Sequence, residues 1–301
     1  MTETNANGPT ENEQTNPEKW NLIIDVELGV DFINAVLSAK DEYVGNEHPG
    51  YSAALAEDNA DIITLERKVR GAPPLVDAVN ILHMCNHCDN GPCQKVGGDA
   101  VHKRDDGIVI IDPVKAKGRR DIVDACPHNA IVWNEDLQLP QHWTFDAHLL
   151  DQGWEKPRCV QSCAAGGIEA IKISDEDMQR RVQVENLEVL PAGTNTKPRV
   201  YYKNLYRYNR CFIAGTVVTN TGDVEDCLIG ASVTLLRDGD SLQSTTTDSF
   251  GEFKLDKLEP GSGRYTVRIE HPGFSAAEIE AELDGESLNL GVHVLEANSQ
   301  D

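Results

Sequence analysis

Four cysteines in one loop-rich stretch constrain this chain more than any other feature. Three follow the pattern Cys85-x2-Cys88-x4-Cys93, and the fourth, Cys126, directly precedes Pro127. The segment MCNHCDNGPC over residues 84–93 is polar and rich in turn-forming residues, so it predicts a loop rather than a core segment. Thiolates in such a loop are ligands for soft metals. The alternatives are an iron–sulfur cluster, a zinc ion and four unligated thiols.

The spacing favours a four-iron cluster over zinc. Structural zinc sites usually present two close pairs of ligands, whereas here a close triplet is followed by one distant cysteine. Bacterial two-cluster iron–sulfur proteins use runs of three close cysteines and a fourth before a proline, and the fourth cysteine of each run binds the other cluster. His87 and His128 lie near these cysteines in the sequence and keep zinc open as an alternative.

This crossover leaves one complete ligand set and removes the other. The surviving set combines the close triplet with the cysteine before the proline. The second set would need cysteine at four positions that carry Gly97, Ala116, Arg119 and Ile122. Random loss would rarely spare one whole set and erase the other. We therefore expect one [4Fe–4S] cluster, with the ligands Cys85, Cys88, Cys93 and Cys126.

The other four of the eight cysteines give a weaker signal. Cys159-x3-Cys163 resembles the second half of a cluster-binding run, but Trp143 and Asp146 occupy the positions that would precede it. We therefore expect two free, partly buried thiols there. The last two cysteines are isolated and are also predicted to be free, since buried cysteine behaves as a small apolar residue.

A change of pattern near residue 210 divides the chain. After it, short alternating runs such as Ile213, Gly215 and Val217 are separated by turn signals such as Asp238-Gly239. This alternation predicts a small β-sandwich. The expected fold class is α+β, with a disordered tail over 1–19, a bacterial-ferredoxin-like iron–sulfur domain over 20–209 and an all-β sandwich over 210–297. In the iron–sulfur domain we expect short strands near 21–26 and 107–112 and a short helix over 119–125.

Charge and apolar content exclude several classes of function. The formal net charge of −23 repels nucleic acid, so the basic stretch 197–210 is not expected to bind it. No apolar run is long enough for a membrane span. The first 19 residues lack a basic start, an apolar stretch and a twin-arginine pair, so they do not form a signal peptide. We expect a cytoplasmic protein, although a subunit can be exported with a partner that carries the signal.

Several segments resemble the iron–sulfur subunits of the dimethyl sulfoxide reductase family of molybdopterin enzymes, in particular the transhydroxylase branch. The matching segments are 40–46 (KDEYVGN), 84–93, 112–118 (DPVKAKG), 147–151 (AHLLD), 157–159 (PRC) and 197–207 (KPRVYYKNLYR). The stretch 248–254 (DSFGEFK) extends the resemblance into the C-terminal part. The resemblance implies that this part is an immunoglobulin-like or transthyretin-like sandwich.

The resemblance also implies four cysteine modules, of which the second and third hold the surviving ligand set. The fourth module keeps only Cys159 and Cys163, and the first has no cysteine at its ligand positions, which carry Gly29, Phe32, Ala35 and Ala39. The two clusters built from the first and fourth modules are therefore expected to be lost. In the family, those clusters lie nearer the molybdenum subunit.

The resemblance implies a large catalytic partner subunit that carries a molybdopterin bis-guanine dinucleotide, in a heterodimer or a multiple of it. This chain has no Walker loop, Rossmann fingerprint or nucleophile elbow, and would be a non-catalytic iron–sulfur subunit. The implied activity, at the partner, acts on polyhydroxylated aromatic substrates. Two alternatives remain: an electron-transfer subunit of an oxidoreductase and a purely structural subunit.

Overall fold

A computed structural model describes residues 16–57, 61–191, 193–222 and 224–298. Most of the predicted tail, up to residue 15, lies outside the described residues, and Lys19 already belongs to the first strand. Within the described ranges, no helix has both the length and the apolar character needed to cross a bilayer.

The first part of the chain combines a three-stranded sheet with three hairpins. Its strands are β1 (Lys19–Asp25), β2 (Ile63–Ala72), β3 (Leu75–Met84), β4 (Val101–Lys103), β5 (Val109–Ile111), β6 (Val132–Asn134), β7 (Leu139–Gln141), β8 (Ile168–Ile173) and β9 (Val200–Lys203). Strand β1 is central in the sheet, antiparallel to β8 and parallel to β9. The pairs β2–β3, β4–β5 and β6–β7 are antiparallel hairpins.

Short helices connect these strands. They are α1 (Ile33–Tyr43), α2 (Pro92–Gly97), α3 (Asp121–Asp124), α4 (Ala147–Leu150), α5 (Arg158–Ser162), α6 (Asp175–Glu185) and α7 (Tyr206–Asn209), with 3-10 turns at Val26–Asp31 and Gly98–Ala100. Strand β1 is buried on both faces: Leu22 and Ile24 face the main core, and Ile23 packs in a smaller one with Met178 of α6. The alternation of side chains along a strand explains this division.

The second part is a two-sheet β-sandwich. Its strands are β10 (Cys211–Thr221), β11 (Val224–Cys227), β12 (Ser232–Arg237), β13 (Asp240–Thr246), β14 (Glu252–Leu258), β15 (Gly263–Glu270), β16 (Ala277–Leu283) and β17 (Leu288–Val294). One sheet has β10 between β11 and β14 with β17 also pairing β10, and the other has the order β13-β12-β15-β16. Ile213 and Val217 are fully buried in the core between the sheets.

The long hairpin β2–β3 packs against the sandwich and buries the other side of β10 as well. A Cβ placed on Gly71 would lie 2.4 Å from Phe212 Cζ, and Phe212 is 1% exposed. Arg70 of β2 is buried beside it and bridges Asp77 of β3 at 2.7 Å and Asp256 of β14 at 2.8 Å. The two parts are therefore joined by a close backbone approach and a shared, buried cation.

Candidate metal centre

The four predicted ligand cysteines come from three segments. Cys85 and Cys88 lie in the loop between β3 and α2, Cys93 is in α2, and Cys126 follows the short helix α3. Burial, and then the negative charge of Cys126, raise the pKa of the Cys85 thiol, and the charges of Cys88 and Cys93 act in the same direction. All four sulfur atoms thus lie within electrostatic reach of one another.

The sulfur atoms of these cysteines are not gathered at the spacing of a zinc site, among the residues that the structure describes. Zinc–sulfur bonds of about 2.3 Å would hold tetrahedral sulfurs about 3.8 Å apart. Among the described residues, no three of these cysteines form a group whose ligand atoms all lie within 4.8 Å of one another. Burial raises the pKa of Cys88 to about 11, and a bound metal would displace such a proton. The donor set therefore fits a four-iron cluster.

The backbone of residues 196–199 holds the cysteine loop from one side. The amides of Asp89 and Asn90 donate to the carbonyl oxygens of Lys197 and Thr196 at 2.9 Å each. The Arg199 amide donates to the Asn86 carbonyl oxygen at 2.8 Å. The beginning of the stretch 197–210 thus binds the cysteine loop through backbone hydrogen bonds.

Lys103 of β4 holds the same loop from the other side. Its Nζ donates to the carbonyl oxygens of His87 at 2.7 Å and Gly107 at 2.8 Å, and pairs with the Asp89 carboxylate at 2.8 Å. Arg199 binds Asp89 with two further hydrogen bonds of 2.8 and 2.6 Å. Sequence reasoning missed Lys103, because a single lysine in a short strand carries no signal of what lies opposite it.

The two histidines near the cysteines differ in their contacts. His87 is buried, its Nδ1 accepts from the Val109 amide at 3.0 Å, and its ring packs edge-on against Trp143. His128 lies against the sulfur atoms: its Nε2 is 3.4 Å from Cys88 Sγ, and its Nδ1 is 3.2 Å from the Leu190 carbonyl oxygen. His128 is therefore the histidine whose ring lies within hydrogen-bond distance of a predicted ligand.

The four positions predicted for the second ligand set carry packed or covering side chains and a glycine. Ala116 and Ile122 are fully buried in one small core with Val101. A Cβ added at Gly97 would lie 2.2 Å from Val101 Cγ2 and 3.5 Å from Ile122 Cδ1. Arg119 covers the outside by donating to the Val96 carbonyl oxygen at 2.7 Å. The packing therefore leaves no room for the cysteine at position 97 that a second cluster would need.

The first and fourth modules also form a packed core. Phe32, Ala35 and Trp143 are fully buried in the same cluster of side chains as Cys159 and Cys163. Both thiols are more deeply buried than the sequence predicted, at 1% and 5% exposure. Burial raises their pKa values, to about 11 for Cys163. Thiols held in this way are inert toward oxidation and metal.

Asp146, at one of the lost ligand positions, now organises that core. Its carboxylate accepts from the Tyr43 hydroxyl at 2.8 Å, Trp143 Nε1 at 3.1 Å and the Arg158 amide at 2.7 Å. Burial raises its pKa, although these hydrogen bonds oppose the change. A carboxylate with three hydrogen-bond donors therefore occupies the position at which the resemblance predicts a cluster ligand.

A second group of possible metal ligands comes from α1, the loop that follows it, and α4. Glu42, His48 and His148 have ligand atoms within 4.8 Å of one another. Glu42 already accepts from His148 Nε2 at 2.7 Å and Arg158 Nη1 at 2.6 Å, and the two imidazole rings stack at 3.7 Å. Since Arg158 neutralises the carboxylate, the contacts are accounted for by an ion pair that ties α1 to α4 and α5. The sequence reasoning did not identify this group.

Comparison with known proteins identifies two family models. Residues 76–172 match the 4Fe-4S dicluster domain, and residues 213–294 match the carboxypeptidase regulatory-like domain. The first match contains all four predicted ligands. The second covers most of the β-sandwich.

Several curated proteins are similar to the chain. The pyrogallol hydroxytransferase small subunit of Pelobacter acidigallici is 39% identical over 277 residues, which is 91% of this chain and 98% of that protein. A tetrathionate reductase subunit of Salmonella typhimurium is 34% identical over 43% of this chain and 54% of that protein. A chain of the anaerobic dimethyl sulfoxide reductase of Escherichia coli is 34% identical over 40% of this chain and 58% of its own length. These matches confirm the resemblance and the fold class predicted from the sequence.

Proposed function

The chain belongs to the iron–sulfur subunits of the molybdopterin oxidoreductase family, and on that premise we propose that it is a non-catalytic subunit with one [4Fe–4S] cluster. Its ligands are Cys85, Cys88, Cys93 and Cys126. Its partner is a large molybdopterin-binding subunit, in a heterodimer or a multiple of it, located in the cytoplasm. The reaction, at the partner, is hydroxyl transfer on a polyhydroxylated aromatic compound.

The main support for this proposal is the packing of protein side chains at the positions predicted for the other clusters. A chain of clusters is needed to pass electrons between a molybdenum site and an outside carrier. The packing of Val101 against Gly97, and of Phe32 and Trp143 in the core at the predicted first and fourth modules, supports the absence of such a chain of clusters. Net hydroxyl transfer between phenols is redox-neutral, so it does not require such a chain. The alternatives, an electron-transfer subunit and a purely structural subunit, differ in what the single cluster does.

Metal analysis tests the ligand set. The anaerobically purified chain should contain about four irons and four sulfides. Cys126→Ser should lose the iron, whereas Cys159→Ser, the matched change at a buried thiol outside the set, should retain it. Zinc in place of iron, or about eight irons per chain, would refute the proposal.

Activity of the whole complex tests the role of the cluster. We expect Cys88→Ala to abolish the cluster while the purified complex stays intact and hydroxyl transfer persists. If the wild-type complex reduces an artificial acceptor and the variant does not, the cluster carries electrons and the electron-transfer alternative is correct. If the purified chain never binds a molybdopterin subunit, the assignment of the partner fails. Recovery of the chain outside the cytoplasmic fraction would refute its location.

A further inference from the structure

The ammonium group of Lys103 contacts the backbone of the cysteine loop directly. Besides the carbonyl oxygens of His87 and Gly107, its Nζ lies 3.3 Å from the carbonyl oxygen of Cys88. With the Asp89 carboxylate, these acceptors use all three donors of an ammonium group. The side chain is 17% exposed, so water screens its charge poorly. A fixed positive charge is therefore held directly beneath the backbone that carries the ligands.

The charges around Lys103 do not cancel. Asp89 and Asp175 are the carboxylates of this network, and they are shared by three cations: Lys103, Arg199 and Lys19. One positive charge is in excess. This excess charge lies at the cysteine loop itself, because Lys103 Nζ is 3.3 Å from the carbonyl oxygen of Cys88, a predicted ligand residue.

We propose that Lys103 is a positioning residue that raises the reduction potential of the cluster, an inference that depends on the proposed cluster being bound. Reduction adds one negative charge to the cluster. A buried cation stabilises the reduced form more than the oxidised form, because the Coulomb energy grows with the charge it faces. Charge and hydrogen bonding near the sulfurs are general determinants of cluster potentials. Asp89 acts with the opposite sign and limits the effect.

The experiment is a redox titration of the full chain, followed by electron paramagnetic resonance of the reduced cluster, with iron measured on each sample. Lys103→Met should lower the midpoint potential by at least the equivalent of a tenfold change in the ratio of reduced to oxidised cluster, about 59 mV for one electron. Lys103→Arg keeps the positive charge, so its midpoint potential should stay near the wild-type value. Asp89→Asn should move the potential upward.

The control is Lys95→Met, the same change at an exposed lysine two residues from Cys93. Water and salt screen the charge of Lys95, so the midpoint potential of the cluster in this variant should stay near the wild-type value. If Lys103 had only a structural role, Lys103→Met, Lys103→Arg and Asp89→Asn would all lose iron. The midpoint potential would then not fall in Lys103→Met and rise in Asp89→Asn. An unchanged potential in Lys103→Met overturns this inference and leaves the proposed function standing. If Lys103→Met loses its iron, an unchanged potential in Asp89→Asn has the same meaning. A wild-type chain without iron overturns the proposed function as well.

Discussion

Arg70 joins the two parts of the chain, and its removal should weaken both. Arg70→Met removes the buried cation between the Asp77 and Asp256 carboxylates. Each carboxylate keeps another partner, Arg207 for Asp77 and Lys254 for Asp256. The side chain is buried, so the loss is larger than that of a surface ion pair.

The pKa of Asp77 gives the magnitude. Burial would raise it, but hydrogen bonds from Arg207 and Arg70 lower it from 3.8 to about 2. At 1.36 kcal/mol for each pH unit, the folded state gains about 2 kcal/mol from this carboxylate. Since the folded pKa is the lower one, that stabilisation is present at neutral pH and is lost as the pH falls from about 4 to about 2. Arg207 keeps part of this effect in the variant, but removing Arg70 deprives two partly buried carboxylates of a cation, and breaking such a pair on one side typically costs about 3 kcal/mol.

Thermal unfolding and limited proteolysis at pH 7, both without oxygen, measure the effect. A loss of this size should lower the melting temperature by roughly 5 °C or more in a chain of this length. The segment before β10 should become sensitive to protease. Arg67→Met, at an exposed arginine on the same strand, is the matched control and should stay near the wild type. A melting temperature of Arg70→Met within 1 °C of the control would refute the reasoning.

Three further predictions follow from the packing. Gly97→Cys should lower the melting temperature without adding iron, since its Cβ would lie 2.2 Å from Val101 Cγ2; a gain of iron would show that the place is not filled. Trp143→Ala, at a side chain that is 0% exposed, should cost about 3–5 kcal/mol in unfolding experiments and leave the iron in place, whereas loss of iron would connect this core to the cluster. The fragment 210–297 should show a folded β spectrum by circular dichroism, and an unfolded spectrum would contradict the predicted boundary.

Local spacing predicts local structure well in this chain. The segment with Cys85 and Cys88 forms the predicted loop after β3, whereas the approach of Cys126 depends on packing between distant segments, and the role of all four cysteines as ligands stays a prediction. The predicted strand near 21–26 and the predicted helix over 119–125 correspond to β1 and α3 with shifted ends. Spacing along the chain carries this information directly.

Contacts between distant segments could not be predicted in the same way. Lys103 faces the cysteine loop because β4 packs there, and no local pattern marks it. The alternation in β10 predicts that one face is buried, but Phe212 is buried as well, because a hairpin 140 residues earlier, around Arg70, covers it. Both features depend on tertiary packing, which binary patterns do not encode.

The close contact between Val101 and Gly97 has a consequence for how such a subunit can change over generations. A single substitution that placed a cysteine at position 97 would bring its Cβ against the side chain of Val101. On the proposed ligand pattern, a second cluster would also need cysteines at the positions of Ala116, Arg119 and Ile122. The first of these substitutions would therefore disturb the packing before it could contribute to a metal site. Packing of this kind favours retention of the proposed ligand pattern over a gain of a second cluster by single substitutions.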